Sequence, residues 1–190
     1  MLILASASPR RKELLEQLGV DFKIEVADCD EIMDDEIAPD VLVQRNASEK
    51  AKAVAKLNPQ NTVLGADTVV TIDGKILGKP KDREDAFNML KKLQGRSHYV
   101  YTGIALVYHN EEKCIVKTEA VGTEVFFGPM TDKEIENYVA TGEPMDKAGA
   151  YGIQGKAGLF VKGIEGDYYN VVGLPYSRLN REIKKFLKEV

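Results

Sequence analysis

The chain has little of what marks several large protein classes. Its 190 residues include two cysteines, two histidines and no tryptophan. So few cysteines, in no recognisable spacing, argue against a disulfide framework or a cysteine zinc site, and we expect a reducing, cytoplasmic environment. No apolar run approaches the roughly 20 residues that a membrane-spanning helix needs. No linker, repeat or low-complexity tract divides the chain, so we expect one domain over residues 1–190.

The charge balance is that of an ordinary globular surface. The formal net charge is −4, charged residues make up 29% of the chain, and hydrophobic residues make up 44%. This composition supports a sizeable core and argues against a broad basic face that would bind nucleic acid. We therefore expect neither nucleic acid nor a membrane as partner, while a local basic pocket stays compatible with the composition.

The strongest local signal lies near the amino terminus. An apolar strand over Met1–Leu4 is followed by Ser8, the expected N-cap of a helix, and by Pro9, whose fixed φ suits the first helical position. Unpaired N–H groups at a helix start attract anions, and the guanidinium groups of Arg10 and Arg11 match phosphate oxygens. The alternative is a capped helix with a solvated basic first turn, but two cations there oppose the helix dipole. The segment therefore predicts phosphate binding.

Apolar spacing predicts helices and strands that alternate along the chain. Helix starts are expected near Pro9, Pro39, Asp82, Thr131 and Pro175. Two long β-rich segments joined near Asn110 predict a hairpin. The combination of parallel-type strands, hairpin strands and helices predicts an α/β fold, a mixed twisted β-sheet with flanking helices.

Two carboxylates are the candidate catalytic groups. The strand that starts at Thr62 is predicted to deliver Asp67 at its end, where α/β proteins place catalytic groups. A turn aspartate that bonds its own backbone is the alternative. Glu31 is expected near the exit of an earlier strand, and its alternative is one charge among several in an acidic loop. Together they could share a hard cation such as magnesium with phosphate oxygens. Lys50 borders the apolar stripe of the helix that starts at Pro39.

Residues 147–158 form a glycine-rich segment, KAGAYGIQGKAG. Its glycines permit close approach of the backbone to a ligand, although each of them alone also fits a tight turn. The Gln154 amide has one acceptor and two donors, which match the edge of a pyrimidine-2,4-dione; the flipped amide would suit cytosine. Base discrimination therefore requires neighbours that hold this amide in one orientation.

Several motifs occur in a characteristic order: LILASASPRRKELL, the Asp30-Glu31 pair, GADTVV, the Gly78-Lys79-Pro80 turn, DKAGAYGIQG and NVVGLP. In this order they make the chain resemble the Maf family of nucleoside triphosphate pyrophosphatases over nearly its whole length. The resemblance implies a two-lobed α/β fold similar to inosine triphosphate pyrophosphatases, with a deep central cleft. It also implies a homodimer and a divalent cation, Mg²⁺ or Mn²⁺.

The resemblance further implies roles for individual residues. It makes Asp67 the general base, with Glu31 assisting the metal that both carboxylates bind. It places Ser8, Arg11 and the catalytic lysines Lys50 and Lys79 around the triphosphate. Positions matching Arg11, Thr68 and Gln154 mark the branch that prefers dTTP and UTP over methylated guanine nucleotides.

The implied reaction is hydrolysis of dTTP and UTP, and of modified pyrimidine nucleotides, to a nucleoside monophosphate and pyrophosphate, as house-cleaning of the nucleotide pool. A nucleotide-binding regulator of septum formation, which needs the cleft but no poised base, is the alternative from another class. A phosphomonoesterase, which would release orthophosphate, is a further alternative. The identity of the product distinguishes all three.

Overall fold

The computed structural model describes residues 1–190 and contains seven strands in one sheet. The strands are β1 Leu2–Leu4, β2 Phe22–Ile24, β3 Thr62–Ile72, β4 Lys75–Leu77, β5 Ser97–His109, β6 Cys114–Phe127 and β7 Val161–Glu165. The α-helices are α1 Pro9–Gln17, α2 Pro39–Leu57, α3 Arg83–Leu93, α4 Asp132–Ala140, α5 Tyr168–Val172 and α6 Tyr176–Phe186. Short 3₁₀ turns Glu143–Asp146, Ala148–Ala150 and Lys156–Phe160 lie between α4 and β7.

The sheet is mixed, as predicted. Its strand order is β2-β1-β3-β5-β6-β7, and β4 pairs with β3 outside this row. The pairs that β1 makes with β2 and β3 are parallel, whereas the pairs β3–β5, β5–β6 and β6–β7 are antiparallel. The predicted hairpin is confirmed as β5 and β6, whose ladder closes at His109 and Cys114 around Asn110. These findings confirm an α/β fold.

Local capping signals set most helix starts. Pro9 and Pro39 are the first residues of α1 and α2, and Asp82 caps α3 by accepting a hydrogen bond from a backbone N–H three residues on. Thr131 closes the expected capping box at α4. Ser8 occupies the N-cap of α1, as predicted, and its side chain makes no capping hydrogen bond to the N–H groups of the first turn.

The longest helix, α2, lies directly on the sheet. The apolar stripe that the sequence of this helix presents, formed by Val43, Ala47, Ala51 and Val54, is fully buried. Two strand glycines permit the close approach: a Cβ at Gly65 would lie 2.1 Å from the Ala47 carbonyl oxygen, and a Cβ at Gly103 would lie 2.4 Å from that of Val43. No other residue type fits at such a contact, so these glycines set the distance between α2 and the sheet.

Three hydrophobic clusters build the two lobes. At one end of the sheet, alternate residues of β1 and β3 point to opposite faces: Leu4 and Leu64 pack under α1 and α6, while Ile3 and Val63 pack under α2. At the other end, the largest cluster joins α3 and α4 to the far parts of β3, β5 and β6. None of the helices combines the length and apolar character that a bilayer crossing requires.

The edge strand β2 is shorter than its sequence predicts. Alternation of Phe22, Ile24 and Val26 predicts a half-buried strand through Val26, but β2 ends at Ile24, and the exposed fractions of Ile24 and Val26 are 46% and 57%. The short parallel partner β1 ends at Leu4, in register with Ile24, so β2 has no partner beyond that point.

Candidate active site

A cavity of about 450 Å³ lies between the two lobes. All nine predicted site residues line it: Ser8, Arg10, Arg11, Glu31, Lys50, Asp67, Thr68, Lys79 and Gln154. They come from six separate parts of the chain, among them the start of α1, the middle of α2, β3 and the glycine-rich segment. The structure therefore brings together groups that lie far apart in the sequence.

Asp67 lies in the middle of β3, not at the end of a strand, which corrects the prediction. The register runs without a break from Thr62 paired with Tyr108 to Thr71 paired with Tyr99, because β5 continues alongside β3. On the other side of β3, however, the parallel partner β1 ends opposite Leu64. The Asp67 side chain therefore emerges just past the end of β1, where the sheet leaves room for a cavity, and only 7% of the side chain is exposed.

Glu31 also departs from its predicted position. It lies in the long loop between β2 and α2, seven residues after the strand ends at Ile24. Lys50 nevertheless joins it to Asp67, since the Lys50 ammonium nitrogen lies 2.6 Å from Glu31 Oε1 and 2.7 Å from Asp67 Oδ1. We call Glu31 and Asp67 the acidic pair.

The electrostatic surroundings favour an ionised Glu31. Burial opposes ionisation, but the hydrogen bond from Lys50 and the positive charges of Lys50, Lys79 and Arg11 lower the pKa of this carboxyl below its ordinary value. The side chain is 40% exposed, so part of this effect is screened by solvent.

Arg11 is held from three directions. Its guanidinium donates to the Gly173 carbonyl, to Ser6 Oγ and to Thr68 Oγ1, each at 3.0 Å. Thr68 is in turn 3.0 Å from Thr102 Oγ1, and the Thr102 hydroxyl donates to a buried backbone carbonyl. Burial lowers the pKa of the Arg11 guanidinium, while the charge of Asp67 opposes this shift. Arg11 is therefore a preorganised cation on the cavity wall.

Arg10 reaches across the cavity mouth to the other lobe. Its guanidinium donates to Asp146 Oδ2 at 2.9 Å and to the Asp146 carbonyl at 3.3 Å. Burial opposes ionisation of Asp146, but hydrogen bonds from Lys147 and Arg10 lower its pKa overall. Arg10 thus lines the cavity, and its ion pair with Asp146 links the two lobes.

Three other predicted residues have free side chains. Lys79 is exposed and forms no ion pair, and the hydroxyl of Ser8 and the amide of Gln154 make no hydrogen bond within the protein. No hydrogen bond within the protein therefore fixes the orientation of the Gln154 amide, which base discrimination by this amide requires. Only the backbone around it is fixed: the Glu143 carboxylate accepts from the Lys156 N–H at 3.1 and 3.2 Å.

The fold and the motifs agree with a comparison against protein families. A family model described as "Maf-like protein" matches residues 1–186. The chain belongs to the Maf family. This finding confirms the resemblance drawn from the motifs.

Several curated relatives of this Maf chain share the same name. A protein of Geobacillus sp. (strain WCH70) named dTTP/UTP pyrophosphatase is 54% identical over 184 residues, which cover 97% of each chain. A Bacillus cytotoxicus protein of the same name is 52% identical over 97% of this chain and 94% of its own. A Bacillus cereus (strain B4264) protein, also of that name, is 51% identical over 97% and 95%.

The acidic pair of this Maf chain suits a hard divalent cation. No group of three or more His, Cys, Asp or Glu side chains forms a ready-made metal cage. Magnesium, however, commonly binds one or two carboxylates and takes its other ligands from phosphates and water. Both carboxylates contact the single ammonium group of Lys50, so both already lie around one positive charge. The donor set therefore fits such an ion in the presence of a phosphate ligand.

Sequence reasoning missed one buried residue of the site. Asn46 on α2 is only 2% exposed and donates to Asp67 Oδ2 at 2.9 Å. It lies four residues before Lys50, and three after Val43, so it belongs to the buried side of α2. A polar amide on an otherwise apolar helical stripe was the signal that could have identified it.

His98 lies behind a residue of the cavity wall but does not itself line the cavity. It is buried in β5, and its Nε2 lies 2.7 Å from the Tyr151 hydroxyl, while Tyr151 itself is a cavity residue. Burial lowers the pKa of His98 to about 4, so it is neutral near pH 7. His98 therefore supports the cavity wall from behind.

Proposed function

We propose that this Maf protein is a nucleoside triphosphate pyrophosphatase that converts dTTP and UTP to the nucleoside monophosphate and pyrophosphate. The observation that carries the proposal is the meeting of an acidic pair with arginine and lysine side chains in one cavity between the lobes. The names of relatives that are 51–54% identical over nearly the full chain support the choice of substrate.

The triphosphate occupies the cationic side of the cavity. Arg10 and Arg11 at the start of α1 offer guanidinium groups, and Lys79 in the β4–α3 connection lines the same cavity without forming an ion pair. Ser8 adds a hydroxyl with no partner in the protein. These groups stabilise the negative charge that develops on the phosphoryl oxygens, and such stabilisation is usually the largest catalytic contribution.

Asp67 acts as the general base. It accepts a proton from a water molecule as the water oxygen bonds to the α-phosphorus, and the bond from that phosphorus to the αβ-bridging oxygen breaks. Pyrophosphate leaves with the electron pair of the broken bond, and the monophosphate keeps the new oxygen. A single positioned base contributes about 10²–10⁴-fold to such a reaction. Lys50 holds one oxygen of this carboxylate in place.

Glu31 and Asp67 would hold the divalent cation, Mg²⁺ or Mn²⁺. When bound, such an ion neutralises phosphate charge and makes a coordinated water more acidic. The role of this chain is to present both carboxylates on one side of the triphosphate site. The ammonium group of Lys50 contacts both carboxylates, so it must share the space between them with the cation or move away when the cation binds.

Base preference depends on Gln154 and the segment around it. Its free amide at the cavity wall can pair with the adjacent N–H and C=O groups of uracil or thymine. Because no neighbour fixes the amide, the base itself selects the orientation, and discrimination against cytosine must come from other contacts. A cytoplasmic location, where the nucleotide pool is, and a homodimer complete the proposal; light scattering after gel filtration measures the latter.

Product analysis tests the proposal. The protein is incubated with dTTP and magnesium, and dTMP, pyrophosphate and orthophosphate are quantified. We expect equal amounts of dTMP and pyrophosphate, and Asp67→Asn should nearly abolish turnover while nucleotide still binds. Asp40→Asn, which removes an exposed carboxylate from the first turn of α2, is the matched control.

Each other outcome has a definite meaning. Orthophosphate as the product would indicate a phosphomonoesterase, and binding without turnover would indicate a nucleotide-binding regulator. A near-normal rate in Asp67→Asn would remove this carboxylate from the mechanism.

A further inference from the structure

The side chain of Asn46 makes three hydrogen bonds beside the acidic pair. Its side-chain Nδ2 donates both to Asp67 Oδ2 at 2.9 Å and to the Ile32 carbonyl at 3.0 Å, while its Oδ1 accepts from the Ile32 N–H at 2.8 Å. Two of these bonds form a two-point pairing with the backbone of one loop residue. The third reaches the carboxylate of the proposed base.

This network fixes the orientation of the Asn46 amide. The Ile32 N–H needs an acceptor, and both the Ile32 carbonyl and the Asp67 carboxylate need donors, so a flipped amide would lose all three hydrogen bonds. The amide is also 2% exposed, and water cannot readily replace these partners. Asn46 is therefore a rigid part of the fold.

The network joins both members of the acidic pair to α2. Asp67 receives one hydrogen bond on each oxygen, from Lys50 on Oδ1 and from Asn46 on Oδ2. Glu31 immediately precedes the loop residue that Asn46 holds. Because residues four apart lie on the same helical face, a single turn of α2 contacts both carboxylates through Lys50, and through Asn46 it also holds Asp67 and the neighbour of Glu31.

We infer that Asn46 is a positioning residue for the reaction: it fixes the plane of the Asp67 carboxylate and the distance of the Glu31 loop from it. The inference rests on the proposed function. Asn46 does not line the cavity, so it has no direct contact to offer a nucleotide. Its removal should therefore slow the chemical step and leave substrate binding nearly unchanged.

Two variants test the inference. Asn46→Leu keeps the branched shape and the number of side-chain heavy atoms but removes every hydrogen bond, and Asn46→Ala removes the hydrogen bonds and shortens the side chain as well. The control is Ser48→Ala on the same helix, since Ser48 is buried at 6% exposure and its hydroxyl makes no hydrogen bond. The three variants and the unsubstituted parent protein are assayed for dTMP and pyrophosphate at a temperature at which circular dichroism shows that all four are folded.

We expect kcat of both Asn46 variants to fall by about tenfold to 100-fold, since misplacement of a reacting group by about 1 Å costs about that much. At saturating magnesium, KM and the Kd of a non-hydrolysable α,β-methylene analogue of dTTP should stay within about threefold of the parent, because the arginine and lysine groups proposed to bind the triphosphate lie outside the Asn46 network. Ser48→Ala should match the parent in all three.

The outcomes separate the inference from the function it rests on. An inactive parent overturns the proposed function. An active parent with an unchanged kcat in Asn46→Leu overturns the positioning role of Asn46. Loss of analogue binding in parallel with kcat would also overturn it, since that pattern indicates general disruption of the cavity.

Discussion

Gly103→Ala is a sharp test of how the fold holds the site. The residue lies on β5 directly opposite Asp67 in the β3–β5 register, and it faces α2. An added Cβ would lie 2.4 Å from the carbonyl carbon and oxygen of Val43 and 2.7 Å from the backbone nitrogen of Gln44. All three are main-chain atoms of α2, so no side chain can rotate to make room.

The size of the effect follows from these distances. Carbon atoms in contact lie about 3.5–4.0 Å apart, so α2 must move away from the sheet by about 1 Å. Overpacking of this kind costs about 1–3 kcal/mol in the free energy of unfolding. For a chain of this size, each kcal/mol lowers Tm by about 2–4 °C. We therefore expect Tm to fall by about 2–12 °C.

The same movement should lower the catalytic rate. Asn46 and Lys50 lie on α2, and both hold the Asp67 carboxylate on β3. A shift of about 1 Å between the two elements stretches both hydrogen bonds, and such misplacement costs about 100-fold in rate.

Thermal unfolding followed by circular dichroism, and kcat for dTTP, measure the two effects. Gly163→Ala in β7 is the matched control, because nothing lies within 4 Å of its added Cβ. A Gly103→Ala protein with the Tm and kcat of the parent would refute the direct helix–sheet contact as the support of the site.

Two further predictions concern the base and the acid stability of the fold. Gln154→Ala should reduce kcat/KM for dTTP and UTP more than for purine nucleotides, because the lost amide faces the cavity; equal losses in a panel of four triphosphates would contradict base recognition. Folding lowers the pKa of His98 from 6.5 to about 4, so its neutral form stabilises the fold fully above pH 6.5, and that contribution is lost as the pH falls toward 4. His98→Gln should flatten the pH dependence of the free energy of unfolding over this range, as urea titrations at several pH values would measure; an unchanged slope would assign the acid sensitivity to other groups.

Local signals in the sequence predicted the elements that depend on a few neighbouring residues. The capping residues Asp82 and Thr131 and the hairpin around Asn110 act over three or four positions, and the structure confirms them. Strand length was less predictable. β3 runs through Asp67 because β5 continues beside it, and β2 stops at Ile24 because β1 ends there, so both limits are set by partners distant in the sequence.

The same distinction applies to the site. Motifs identified six of the nine charged residues that line the cavity, including Lys79 and Arg11, but not Asp28, Asp146 or Lys147. They did not identify the network of Asn46, since its importance depends on where the Ile32 backbone crosses α2. Nor did they reveal that Arg10 pairs with Asp146 in the other lobe. Contacts between segments far apart in the chain decide these features.

The two residues of the acidic pair lie on backbone segments that should differ widely in their resistance to amide hydrogen exchange. Asp67 belongs to an eleven-residue strand whose neighbour β5 pairs with it along almost its whole length, whereas Glu31 belongs to a loop held by side-chain bonds, among them those of Asn46 to Ile32 and of Lys50 to Glu31 itself. Exchange in the strand requires the sheet to open, but exchange in the loop requires the loss of a few side-chain bonds. Asp67 therefore keeps its position as long as the core stays folded, whereas the loop that carries Glu31 can open while the rest of the protein stays folded.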